Sequence, residues 1–214
     1  MKIPKYVTNY IEKYKSCNVI FNKERVRLVS FLEDNILQRD DLYFDDQKIE
    51  DYIKFSEKWF FKLQDFQKFI SCFVFLYEKD TNTPYFSEFF ISMARGGGKN
   101  GYISTLAAFF MTPLHGIPKY NMSVVANSEK QALVSFREIY EMIESNNLYI
   151  TGERPNNPFY LSKVYVEGTS TKSQFLFDTS NEKTKDGARE GCIFFDEVHA
   201  YEKDTIINIK RSGL

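Results

Sequence analysis

Phe89-Phe90-Ile91-Ser92-Met93-Ala94-Arg95-Gly96-Gly97-Gly98-Lys99-Asn100-Gly101 carries an apolar run through consecutive glycines into a lysine. The run Tyr85–Met93 reads as a strand, and Asn100–Met111 reads as a helix stopped by Pro113. Glycines between a strand and a helix let backbone N–H groups turn inward around phosphate oxygens, and the helix offers its positive end to the same anion. Lys99 then supplies a point charge for the β- and γ-phosphates. The stretch departs from the usual G-x-x-x-x-G-K-[ST] pattern, because Met93 stands at the first glycine and Asn100 replaces the magnesium-binding hydroxyl residue. Taken alone, the loop also fits a flexible turn with a solvated lysine.

A second stretch narrows the choice. Cys192-Ile193-Phe194-Phe195-Asp196-Glu197 drives four apolar residues into paired carboxylates, so a buried strand is expected to deliver both acids to one sheet edge. Phosphoryl transfer needs charge neutralisation and an in-line nucleophile. Asp196 is expected in the Mg²⁺ shell beside Asn100, whose amide oxygen is a neutral ligand for a hard cation. Glu197 is expected to polarise the attacking water. A strand ending in a solvated Asp-Glu turn is the plain alternative for this stretch read by itself.

Outward from these motifs the texture is α/β with a largely parallel sheet. Ser123–Ala126 reads as a short buried strand. Ser128 and Gln131 form a Ser-x-x-Gln capping box for a helix that sets Leu133, Phe136, Tyr140 and Ile143 on one face. Val164–Glu167 and Ser173–Asp178 flank a polar turn and read as a hairpin. Residues 1–80 read as mainly helical, with helix-compatible pattern through Ile53–Phe61 and Phe66–Tyr77 around an acidic break at Asp40–Asp51. Thr81–Pro84 is the linker, which divides the chain into a helical section 1–80 and a P-loop core 81–214.

Composition sets outer bounds. A formal charge of −1 leaves any nucleic-acid contact to a local patch. Cys17, Cys72 and Cys192 have no ligand-like spacing and imply a reducing, cytoplasmic setting. Neither Phe69–Tyr77 nor Thr105–Met111 approaches the roughly 18 apolar residues that span a bilayer.

The residues then resemble one family. Phe89–Gly101 looks like the deviant Walker A of tailed-bacteriophage terminase large subunits, in which an arginine precedes the glycines. Gly191–His199 resembles their Walker B with its catalytic glutamate, and Ser123–Ser128 leading to Gln131-Ala132 is similar to their second strand and helix. Leu63-x-x-Phe66-Gln67 looks like the adenine-contacting motif, and Tyr43-Phe44-Asp45 like an aromatic-acid turn of the helical front section. The resemblance implies a P-loop ATPase with an additional catalytic glutamate, in which Gly96, Gly97, Gly98, Lys99 and Asn100 hold nucleotide. Asp196 and Asn100 face Mg²⁺, Glu197 is the catalytic base and Gln67 reads adenine. Arg95 would touch the γ-phosphate or relay nucleotide state, or else be a salt-bridged loop residue; Gln67 also fits a surface position on an amphipathic helix. ATP and Mg²⁺ are the implied cofactors. Double-stranded DNA, a portal protein, a small terminase subunit and a homo-oligomeric ring are the implied partners, in the host cytoplasm and transiently at the procapsid portal.

Two other readings stay open on sequence. Asp196-Glu197-Val198-His199 also spells the Asp-Glu-x-His box of a nucleic-acid helicase, and a nucleotide-binding remnant without turnover is the other. In domains of the implied fold a further strand enters between the Walker A and Walker B strands. Seventeen residues follow Glu197, too few for a helix and that strand. The expectation is an incomplete sheet, marginal stability and little ATPase activity for these 214 residues alone.

Overall fold

Four helices and a short two-stranded ladder build the first of two units, Met1–Ser92; the second is Met93–Leu214. The computed structural model describes residues 1–94, 96–126, 128–146, 149–150, 158–179 and 190–198.

In the first unit, helices α1 (Lys5–Lys15) and α2 (Lys23–Asn35) precede strand β1 (Leu42–Phe44), and α3 (Asp46–Trp59) and α4 (Asp65–Val74) precede β2 (Leu76–Glu78). Short polar side chains start two of the helices: Asn22 accepts from the Arg25 amide and Asp45 from the Lys48 amide. Rings fill the space between α1 and α4, where Tyr10 lies 4.5 Å from Phe69 and 5.0 Å from Phe21, centroid to centroid. Within residues 1–80 the structure adds two short strands to the helices. Leu42↔Glu78 and Phe44↔Leu76 pair antiparallel, so the acidic break holds a strand, and the apolar run to Tyr77 changes from helix to strand at Leu76. Residues beyond 80 continue this unit, because the Tyr85 amide donates to the Leu76 carbonyl and Phe86 packs edge-on against Phe73.

The second unit is a mixed sheet with helices. Helix α5 (Lys99–Phe110) is followed by β3 (Met122–Ala126), α6 (Glu129–Ser145), β4 (Tyr149–Ile150), β5 (Phe159–Leu161), β6 (Tyr165–Gly168), β7 (Gln174–Thr179) and β8 (Cys192–Phe195). The strand order is β4-β5-β6-β7-β3-β8. β3 runs parallel to both β7 and β8, with Val124 opposite Phe177 and Phe194, and all five of its residues are buried. The sheet is mixed: β3 pairs parallel with β7 and β8 and β4 with β5, while β5–β6 and β6–β7 pair antiparallel, the second of these where the sequence predicts a hairpin. Short connections such as Ser162–Val164 and Thr169–Ser173 return the chain beside itself, and a parallel crossover needs a dozen residues or more.

Two further expectations change. Tyr85–Met93 forms no strand: Tyr77 makes one isolated bridge to Pro84, and residues 86–94 join no ladder among the described residues. An apolar run is extended β structure only where its N–H and C=O groups have a neighbour. β8 is half-exposed rather than buried, because it stands at the edge of the described sheet with β3 as its one neighbour there. On α6 the buried face is Ala132, Phe136, Ile139 and Ile143, while Leu133 and Tyr140 are half-buried. The capping side chain of Gln131 and the residues after Val198, on which the missing-strand expectation rests, lie outside the described residues.

The far end of α5 is clamped to the hairpin. Thr171 Oγ1 donates to the Met111 carbonyl at 2.7 Å, and a Cβ on Gly168 would stand 2.0 Å from that same carbonyl oxygen. Gly168→Ala is therefore expected to destabilise the fold by about 1–3 kcal/mol through overpacking against backbone, read as a lower Tm. An unchanged Tm would show that this close approach is not maintained.

Candidate active site

The glycine loop ends in a helix start that no side chain caps. Gly98 is the N-cap of α5 at φ +83°, and Gly96 sits at φ +79°, a left-handed region that side-chain-bearing residues rarely enter. The Gly97 amide donates to the Ala94 carbonyl at 3.0 Å, which closes the turn. Where α2 and α3 place Asn22 and Asp45 on their first free amides, α5 places a glycine and has no acid in its first turn. The free N–H groups and the positive end of the helix dipole are left for an external anion.

β3 brings the acids to this loop. The ladder continues one residue beyond β8, since the Asp196 amide donates to the Val125 carbonyl at 2.8 Å. Asp196 is buried, 4% exposed, and its Oδ1 lies 2.6 Å from Lys99 Nζ. Glu197 Oε1 lies 3.3 Å from the same ammonium, and its side chain is 39% exposed. Glu197 also holds φ +54°, so its backbone sits in the left-handed region at a cost of about 1–3 kcal/mol. Burial works to lower the Lys99 pKa, but hydrogen bonds and charge from Asp196, then Glu197, outweigh it and hold the ammonium above its ordinary value.

Most of the expected residues therefore meet. Gly96, Gly97, Gly98 and Lys99 form the loop, Asp196 and Glu197 converge on Lys99, and Asn100 follows it, half-buried, in the first turn of α5. Arg95 and His199 lie outside the described residues. Gln67 belongs to the first unit and is buried, with its Oε1 accepting the Gln64 amide at 2.9 Å in the capping box of α4. That excludes the surface position on an amphipathic helix and gives Gln67 a structural task. The sequence offered no sign of the left-handed Glu197 or of the Val125 carbonyl that anchors its neighbour. A positive φ is legible in sequence mainly through glycine or asparagine.

The donor set suits a hard cation. Asp196 offers a carboxylate oxygen and Asn100 an amide oxygen, and Asp196 already holds a positive charge at contact distance in Lys99. Mg²⁺ asks for few protein ligands when phosphates and water supply the rest.

A family model described as "Terminase large subunit, ATPase domain" matches residues 65–214. The chain belongs to the terminase large subunit ATPase-domain family. Terminase large subunits of Lactococcus phages p2 and SK1 are 27% and 26% identical to it over 99% of its length. The chain spans 37% of the length of each of these relatives. The large terminase of bacteriophage HK97 shares the fold, with a TM-score of 0.62 and 18% identity over 78% of this chain and 35% of that one. Among the described residues of this terminase domain, no helix is long and apolar enough to cross a membrane.

Proposed function

We propose that this chain is the ATPase motor part of a phage terminase large subunit, hydrolysing ATP with Mg²⁺ to drive double-stranded DNA into procapsids. The observation that carries the reading is the convergence of Lys99, at an uncapped glycine-led helix start, on Asp196 and Glu197. Gly96, Gly97 and Gly98 supply backbone donors to the phosphates, and Lys99 moves its charge from the carboxylates to the β/γ oxygens. Asp196 and Asn100 would hold Mg²⁺, which when bound neutralises charge on the phosphates. Glu197, half-exposed and next to the buried acid, orients water for in-line attack. Gln67 reads adenine and Arg95 contacts the γ-phosphate, both on family resemblance. The resemblance also supplies the portal protein, the small terminase subunit, the ring of identical subunits and the setting in the host cytoplasm at the procapsid portal.

The test measures ATP binding and ATP hydrolysis separately, with and without Mg²⁺, in the full-length subunit. Binding without Mg²⁺-dependent turnover would overturn the motor reading in favour of a nucleotide-binding remnant. Asn100→Ser restores the commoner hydroxyl ligand, and its turnover is expected to stay within a few-fold of wild type. A dead Asn100→Ser enzyme would show that Asn100 does something other than help hold Mg²⁺.

A further inference from the structure

Helix α5 carries Lys99 at its first position, and most of the residues after it are buried, among them Tyr102, Leu106, Ala107, Ala108, Phe109 and Phe110. Apolar packing is non-directional and fixes poorly how far a helix sits along its own axis. We propose that Glu138 of α6, acting through Ser104, is a positioning residue that sets the axial register of α5 and so holds Lys99 against Asp196 and Glu197; the proposal rests on the ATP-hydrolysing function proposed above.

The hydroxyls in and just past this helix differ in where they point. Thr105 Oγ1 donates to the Tyr102 carbonyl at 2.9 Å and Thr112 Oγ1 to the Phe109 carbonyl at 2.6 Å, bonds that stay within one turn. Ser104 Oγ instead donates across to Glu138 Oε2 at 2.8 Å. Ser104 is fully buried, and Glu138 is half-buried on the flank of the face where α6 buries Phe136, Ile139, Met142 and Ile143. A hydrogen bond to an ionised acceptor is shorter and about twice as strong as a neutral one. This contact therefore carries direction where its apolar neighbours carry none.

The two helices leave the same sheet edge. Lys99 meets Asp196 just past the carboxyl end of β8, and α6 begins soon after Ala126, which ends the parallel strand β3. Ser104 lies about 7.5 Å along α5 from Lys99, and Glu138 about 13.5 Å along α6 from Glu129. The Ser104–Glu138 bond thus pins α5 near the end that carries the lysine, while the Thr171 hydroxyl on the Met111 carbonyl pins the far end at 2.7 Å. The acids are fixed to β3 by the Val125 carbonyl on the Asp196 amide at 2.8 Å. Because α6 follows β3 in the chain, lysine and acids are referred to one frame. A misplacement of about 1 Å is enough to cost on the order of 100-fold in rate.

The experiment uses the full-length subunit and the variants Ser104→Ala, Glu138→Met, their double, and Glu138→Gln, each assayed well below its Tm. Turnover per bound nucleotide is read beside ATP affinity. Ser104→Ala and Glu138→Met are each expected to lose about tenfold in turnover, with affinity within about threefold of wild type. The double variant is expected to lose no more than the worse single, because both remove one interaction. Glu138→Gln keeps an acceptor oxygen and is expected to stay within a few-fold of wild type. A bond that serves stability alone would lower the Tm and leave turnover per bound nucleotide unchanged; that result overturns the proposal, as does an additive double variant.

A second reading needs no nucleotide. Carbodiimide joins an ammonium to a carboxylate only at contact, and Lys99 lies 3.3 Å from Glu197, whose side chain is 39% exposed. The yield of that cross-link, measured by mass spectrometry, is expected to fall several-fold in Ser104→Ala and to hold in Glu138→Gln. If wild type turns over no ATP, the motor reading fails and the cross-link decides alone: a fall in Ser104→Ala sustains the positioning role, and a wild-type yield ends it.

Discussion

Glu197→Gln is expected to keep ATP affinity and lose on the order of 10³-fold in hydrolysis. The substitution preserves shape and hydrogen-bonding capacity while removing the negative charge that orients water. That loss corresponds to about 4 kcal/mol of transition-state stabilisation, and little of it should appear in ground-state binding. Glu197 lies beside Lys99 at 3.3 Å, and Asp196 stays with the lysine at 2.6 Å, so the variant keeps the shorter of the two ion pairs. Single-turnover hydrolysis and nucleotide titration on the full-length subunit separate the two effects. Turnover at the wild-type rate would remove Glu197 from the mechanism.

Lys99→Ala is expected to fail earlier, at binding. Its ammonium meets phosphate charge in the ground state as well as the transition state. A hydrogen bond to a charged group contributes about 1.5–3 kcal/mol, so ATP affinity should fall roughly 10- to 100-fold. The variant also leaves Asp196, 4% exposed, without its cation. Some loss of stability should accompany the loss of affinity, softened because the Lys99 side chain is 31% exposed and in contact with water. Lys99→Arg, which keeps the charge, should recover stability more fully than affinity, because a planar guanidinium does not fit where a compact ammonium did. If Lys99→Ala binds ATP as wild type does, the glycine loop is not the phosphate cradle.

The sequence disclosed what long-range pairing makes unambiguous. Val124 and Val125 in β3, and Ile193 to Phe195 in β8, are continuous apolar runs ending at polar punctuation, and both are strands. The glycines ahead of α5 were legible as a break in regular structure, because consecutive glycines before an apolar helical run favour a turn. Elements of three residues or fewer, such as Leu42–Phe44 and Tyr149–Ile150, are too short to show a period. Tyr85–Met93 misled for the opposite reason: a strong local pattern promised a strand, but a strand is a property of a pair, and no partner is found among the described residues. In the site, the types and order of Lys99, Asp196 and Glu197 were legible. Their distances were not, because the Asp196 amide is fixed by a carbonyl seventy-one positions away, that of Val125.

The register of β8 on β3, with Met122 opposite Cys192 and Val125 opposite Phe195, has a consequence for how such a gene can vary. Side chains alternate along a strand, so one codon gained or lost between Cys192 and Asp196 would invert every side chain beyond it and carry the buried acid to the opposite surface. A codon gained before Gly191 leaves that alternation untouched. A gene for this domain should thus tolerate substitutions in β8 far better than any change in its length.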